Sequence, residues 1–320
     1  LKTVVLDYPI AELKTQLQHD PDPLSRIFAA GALAKKGGLE VVKSLSHALQ
    51  HDPFWGVRAE VAEQLASVKL DQAFEGLVKG LEDPQARVRK AVVSALSQLK
   101  THASYKVLKS IAEAGDPSYY VEATALSGLG NVASVKLDNK SKEEKVLKLL
   151  RSALEDRAGW NETVRSGAIA GASKLKTSEA ALDLILEYTT TGTPQALRLA
   201  AIRALGAISS GQNNVNLERI LNRLDELSSE SFFLTQVSTV VALGQMETIK
   251  SIGILQSLAD QTPDGRVKRM AEEAIQRVQK VAAKDQAVQK LQEQLEQLKK
   301  DNQEMKSRLE NLEAKNKPVD

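Results

Sequence analysis

The sequence predicts an all-α fold, an α-α superhelix of stacked helix pairs that ends in a coiled-coil helix. Three observations predict it. The chain is 42% hydrophobic but only 4% aromatic, so its core must be built from Leu, Val, Ile and Ala, and no segment alternates cleanly enough for a sheet. One segment recurs along most of the chain at a spacing near 31 residues. From Val281 onward the apolar residues change to a strict heptad spacing.

The recurrence comes first, because a missed period misreads the whole fold. DPLSRIFAAGAL from Asp22, DPFWGVRAEVAEQL from Asp52, DPQARVRKAVVSAL from Asp83 and DPSYYVEATALSGL from Asp116 start 30, 31 and 33 residues apart. A polar landmark extends the series through Arg26, Arg58, Arg89, Glu122, Arg165, Arg198, Gln236 and Lys268. Seven residues beyond each lie Leu33, Leu65, Leu96, Leu129, Ala172, Leu205, Leu243 and Ile275, two turns along one helix face. Eight units result, filling residues 7–280.

Each Asp-Pro is read as a helix start: Asp accepts from first-turn amides and Pro sits at the first helical position. Val57, Val61, Leu65 and Val68 then keep helical steps, and a second amphipathic segment such as Leu39, Val42, Leu45 and Leu49 precedes each such helix. A unit is therefore a helix pair, and neighbouring pairs must stack to cover their apolar faces. The polar stretches Ser134 to Lys145 and Ser209 to Asn216 lengthen two intervals and are expected to be exposed loops. Gly37-Gly38 is expected at a turn between helices.

The layout D-P-x-x-x-V-R-x-x-[AV]-x-x-x-L resembles HEAT repeats, a helix-pair family that also includes proteins of the phycobilisome-lyase type. Over roughly Asp7 to Leu205, and best over Asp20 to Gly130, the chain is also similar to the carboxy-terminal helical domain of aminopeptidase N-like zinc metallopeptidases. LQHDPDPLSRIFAAGALAKKG, LSHALQHDPFWGVRAEVAEQL and GDPSYYVEATALSGLG carry that similarity. The resemblance implies a parent enzyme in which zinc and catalysis reside in an upstream domain, with residues 1–6 as the end of a β-sandwich. The chain opens on Leu1 instead of Met, as a segment of a longer protein would.

No catalytic, cofactor-binding or metal-binding residue is assigned to this chain. The zinc motif His-Glu-x-x-His needs two imidazoles one turn apart and a carboxylate to activate water. His47 and His51 have the spacing, but Ala48, Leu49 and Gln50 stand between them. The Gly-x-Met-Glu-Asn motif of the resembled enzymes is missing too.

Lys plus Arg total 43 against 41 Asp plus Glu, a net charge of +2 that argues against nucleic acid as a partner. No apolar run is long enough to span a membrane. The absence of cysteine is compatible with a reducing cytoplasm and leaves the compartment open. The expected partner is a protein or peptide.

Seven of the twelve aromatic residues precede or open the landmark helices: Phe54, Trp55, Tyr119, Tyr120, Trp160, Phe232 and Phe233. Of these, Trp55, Tyr119, Tyr120, Trp160 and Phe233 are the candidate interaction residues. They either form a docking strip or, the favoured reading, plug gaps between Ala-rich helices. The recurrent arginines either make a cationic row or, the favoured reading, pair with the Asp of a neighbouring unit.

In residues 281–316 the seam positions Val288, Leu291, Leu295, Leu298, Asn302, Met305, Leu309 and Leu312 alternate steps of three and four. The expectation is a parallel homodimer through this helix, with Asn302 facing its copy, Asp301 facing Lys306 and Arg308 facing Glu313. A lone solvated helix, or one folded back, is the alternative; residues 317–320 form a tail. The leading reading is a non-catalytic interaction domain of an aminopeptidase N-like enzyme, and its rivals are a standalone HEAT scaffold and a phycobilisome-lyase-type protein.

Overall fold

The computed structural model describes residues 8–68, 70–134 and 140–315. The expected sandwich end at residues 1–6, the tail at 317–320 and part of the first polar loop lie outside the described residues. The helices are α1 (Ile10–His19), α2 (Pro23–Lys36), α3 (Leu39–His51), α4 (Trp55–Ser67), α5 (Asp71–Lys79), α6 (Ala86–Leu99), α7 (His102–Ala114), α8 (Tyr119–Ala133), α9 (Lys140–Asp156), α10 (Thr163–Ala172), α11 (Glu179–Glu187), α12 (Gln195–Ile208), α13 (Asn214–Ser228), α14 (Phe233–Gln245), α15 (Lys250–Gln261) and α16 (Gly265–Lys315). Among the described residues there is no strand, and no helix is long and apolar enough to cross a membrane. The fold is an α-α solenoid of stacked helix pairs. It divides into two compact units, residues 1–220 and 221–320.

In the first unit the second helices of successive hairpins, α2, α4, α6, α8, α10 and α12, pack side by side in chain order. The first helices form the other layer, with α1 against α3, α3 against α5 and α9 against α11. The reason is legible in the burial. Leu33, Leu65, Leu96, Leu129, Ala172 and Leu205, each seven residues past a landmark, are fully enclosed between the layers. A buried Leu stabilises by about 1.5–3 kcal/mol relative to exposure, so a single hairpin that left these faces open would not hold.

The tightest crossing joins α8 and α10. A Cβ on Gly167 would lie 2.5 Å from the Cα and carbonyl oxygen of Ala123, and one on Gly171 would lie 2.5 Å from the Leu126 carbonyl. A Cβ on Gly130 would in turn overlap the Gly171 carbonyl. Gly at these positions lets the two backbones approach at a distance that any side chain forbids. At the α2–α3 turn Gly37 and Gly38 instead take positive φ of 67° and 94°, a conformation that costs glycine nothing.

The Asp-Pro reading needs correction. Only Asp22 caps a helix, accepting from the Leu24 amide with Pro23 at the first position of α2. Helices α4, α6 and α8 start at Trp55, Ala86 and Tyr119, after Asp-Pro has passed. Asp52, Asp83 and Asp116 each accept the amide two residues on, from Phe54, Gln85 and Ser118, at 2.8 Å. The residue of the first hairpin that does the same is Asp20, which accepts from Asp22. In register, then, each Asp stands six residues before its landmark: Asp20 and Arg26, Asp52 and Arg58, Asp83 and Arg89, Asp116 and Glu122.

In the second unit α14, α15 and α16 pack on one another and bury Val240, Leu243, Leu255, Leu258, Val267, Ala271 and Val278. Helix α16 runs 51 residues without a break, about 76 Å at 1.5 Å per residue. It passes residue 281 as continuous helix, so the change of period there alters the surroundings of the side chains and leaves the backbone unchanged. From Leu291 to Ser307 every residue is exposed.

Candidate functional site

The landmark arginines build a ladder along the turn edge of the first unit. Arg26 grips Asp52 of the next hairpin with two bonds, Nε to Oδ2 at 2.7 Å and Nη2 to Oδ1 at 2.9 Å, and donates from Nη1 to the Asp20 carbonyl at 2.9 Å. Arg58 repeats this with Asp83 at 2.6 and 3.1 Å and the Asp52 carbonyl at 2.8 Å. Arg89 repeats it with Asp116 at 2.9 and 2.8 Å and the Asp83 carbonyl at 2.8 Å. Only 8% of the Arg26 side chain and 4% of the Asp52 side chain meet solvent, so these forks are interior structure unavailable to a ligand. The hydrogen bond that Arg26 donates to Asp52 raises the Arg26 pKa despite burial, and the one that Arg89 donates to Asp116 does the same for Arg89. Burial pushes the Asp116 carboxyl upward, but the hydrogen bonds from Arg89 and the Ser118 amide outweigh it and leave its pKa lowered.

The fourth rung keeps the link and exchanges the charges. Here the landmark is Glu122, and Arg157 of the next turn donates to it from Nη1 and to the Glu113 carbonyl from Nη2 at 3.1 Å. The next turn is two residues longer, and Asn161 and Glu162 both take left-handed φ, 50° and 54°. For Glu that conformation costs about 1–2 kcal/mol. Arg165 pins the Glu162 carboxylate at 3.0 Å and lies 6.0 Å from the Tyr188 ring centre. In the second unit, Gln236 accepts from Thr262 Oγ1 at 3.0 Å, a neutral version of the same link.

Trp55, Tyr119, Tyr120 and Trp160 stand at this edge, outside the ladder. Tyr119 and Tyr120 are about half exposed and Trp160 is 61% exposed, so these rings do not plug interior gaps. Trp55 is partly covered: the Arg87 guanidinium lies 4.7 Å from its ring centre, and Phe54 sits beside it at 5.5 Å. The Lys90 ammonium lies 5.9 Å from the Tyr120 ring, and Trp160 meets Tyr120 edge to face at 6.2 Å. Between Tyr119 and Trp160 opens a small pocket of about 180 Å³, floored by Glu122, Arg157 and Val164. Phe233, in the second unit, carries the Arg266 guanidinium 4.2 Å above its ring. Hydrogen bonds from the Arg266 side chain and amide hold Asp264 down to about 2.

His47 and His51 are exposed at the end of α3 with rings stacked at 4.4 Å, and His51 Nδ1 is bonded to the His47 carbonyl at 2.9 Å. Among the described residues no cluster of three His, Cys, Asp or Glu could hold a metal ion. Leu291, Leu295, Leu298, Asn302 and Met305 are exposed on α16. The side chains of Val288, Leu309 and Leu312 lie outside the described residues.

The family model described as HEAT repeats matches residues 10–79, 42–119 and 106–206, together more than half of the chain. The chain belongs to the HEAT-repeat family. No curated protein sequence matches it. Among solved structures it is similar to human deoxyhypusine hydroxylase in complex with glycerol, with a TM-score of 0.38, 20% identity and coverage of 84% of this chain and 96% of that one. The complex of CpcE and CpcF of phycocyanin lyase from Nostoc sp. PCC7120 gives 0.46, 20%, 79% and 94%. The karyopherin Kap121p bound to the extreme C-terminus of the phosphatase Cdc14p gives 0.49, 15%, 85% and 33%. These likenesses concern the fold alone.

In this HEAT array the sequence located the aromatic residues but missed Arg87, Lys90 and Arg157. The first two sit one and four residues past Ala86, the start of α6, and a helix start counted from Gln85 rather than from Asp83 would have set them on the same edge as Trp55. Arg157 was legible only as the counterpart of a landmark of opposite charge.

Proposed function

We propose that this chain is a non-catalytic protein-binding module: a HEAT solenoid that docks a protein or peptide along its turn edge, and a terminal helix that pairs with a second copy. The observation that supports this is the placement of its exposed large apolar side chains. Among them, Tyr119, Tyr120 and Trp160 stand together at the turn edge beside the partly covered Trp55, and Leu291, Leu295, Leu298 and Met305 form a stripe along α16. Ordered apolar exposure marks interaction surfaces, whereas scattered exposure needs no explanation.

The α16 row repeats at alternating steps of four and three, and Asn302 continues it; a parallel two-stranded coiled coil covers such a row and sets Asp301 against Lys306. Sedimentation velocity tests this. The full chain should run as a dimer and a chain ending at Ala283 as a monomer, and equal association states would refute the pairing. We infer also, from the Asp20 to Gly130 sequence layout, that the module serves an aminopeptidase N-like metallopeptidase and shapes access to its active site. A β-sandwich and a His-Glu-x-x-His domain encoded upstream of Leu1 would support that, and an initiator codon immediately before Leu1 would exclude it.

A further inference from the structure

Resting on the docking reading above, we propose that the turn edge of α4, α6 and α8 binds an extended acidic protein segment that carries an apolar side chain at every third residue. Three features combine. In the row Trp55, Arg87, Lys90, Tyr120, Trp160 two cations of α6 stand between rings of the flanking hairpins, with Arg87 at 4.7 Å from Trp55 and Lys90 at 5.9 Å from Tyr120. Both cations are exposed. The turn carboxylates that would neutralise such a row, Asp52, Asp83 and Asp116, are each committed to Arg26, Arg58 and Arg89. Finally, α4, α6 and α8 all begin here without a side-chain cap, so their first-turn amides and positive dipole ends face the same edge.

The spacing selects the shape of the occupant. Packed helices lie about 8–10 Å apart. An extended polyproline-type chain advances about 3.1 Å per residue, so every third residue reaches the next hairpin. Apolar side chains at that interval fall between Trp55, Tyr120 and Trp160, while carboxylates between them reach Arg87, Lys90 and the open helix ends. Nucleic acid fits less well, because its binding rests on neutralising many phosphates and this row offers two exposed cations on a chain of net charge +2.

Trp55 and Trp160 are the two tryptophans of the chain, so intrinsic fluorescence reports the row directly. The full chain is titrated with a peptide of repeating Leu-Glu-Pro, about 15 residues long, with its Leu-Lys-Pro counterpart and with oligothymidylate of similar length. The acidic peptide should change the tryptophan emission saturably. R87E/K90E, with its thermal melt compared with the wild type to establish folding, should weaken it about tenfold. Absence of a response to the acidic peptide, an equal response to the basic one, indifference to R87E/K90E, or tighter binding of the oligonucleotide overturns the proposal. Binding of the basic peptide in place of the acidic one would sink this proposal and leave the docking edge standing, whereas no response to any of the three ligands would count against both.

Discussion

Arg157 donates to Glu122 at the position where Arg26, Arg58 and Arg89 donate to Asp52, Asp83 and Asp116, so the fourth rung is the same link with its charges exchanged between hairpins. Each of these four rungs is an ion pair, with the cation on the landmark residue in three of them and on the following turn in the fourth.

From this follows a charge-reversal prediction. Glu122→Arg alone places two cations together at a nearly buried site and should cost about 2–3 kcal/mol, while Glu122→Arg with Arg157→Asp should recover most of it. Urea denaturation measures both. A double variant no more stable than the single one would show that the rung is not a pair.

The third rung predicts an acid dependence. The Asp116 pKa is lowered in the folded chain, so the charged form stabilises the fold, fully above the unfolded carboxylate value of about 3.9. That contribution is lost as pH falls through the lower folded value. The melting difference between the wild type and Asp116→Asn should be constant at neutral pH and shrink below about pH 4. A difference independent of pH would detach it from this carboxylate.

The α8–α10 crossing predicts two opposite outcomes for glycine. Gly171→Leu forces apart backbones that meet at Leu126 and should destabilise by more than about 3 kcal/mol. Gly253→Ala lies at an exposed position inside α15, with nothing within 4 Å of the new methyl group, and should stabilise by about 0.5–1 kcal/mol. Equal effects at the two sites would contradict the close approach.

Asn302 predicts a change of assembly. In the proposed pairing of α16, Asn302→Leu should raise the stability of the dimer and admit higher oligomers, because the amide that the pairing would enclose between two strands is gone. Light scattering reads the mass, and an unchanged dimer of unchanged stability would place Asn302 outside the seam.

Catalysis gives the last expectation. With zinc added, the chain should not hydrolyse amino-acid anilides; chelator-sensitive turnover would overturn its non-catalytic reading.

Much of this fold was legible because its period is carried by side chains with one environment each. Leu33, Leu65, Leu96 and Leu129 are buried for the reason that their spacing announced. The Asp-Pro turns were harder: the same dipeptide serves as a cap at Asp22-Pro23 and as a turn two or three residues ahead of the helix at Asp52, Asp83 and Asp116, and only the length of the turn distinguishes them. The exposure of Tyr119 and Trp160 was illegible for a different reason. Ring size favours filling a gap, but the α8–α10 backbones approach so closely through Gly167 and Gly171 that no gap of that size remains between those helices.

Helix α16 joins two tasks on one backbone: Val267, Ala271 and Val278 seat it among α14 and α15, and the same uninterrupted helix then presents Leu291 to Met305. Its azimuth is therefore set by residue count. Removing one residue between Val278 and Leu291 would swing the outer stripe by about 100° around the axis, whereas inserting a full heptad would nearly restore its phase. In the proposed pairing, the direction in which a second copy approaches is thus encoded as a length.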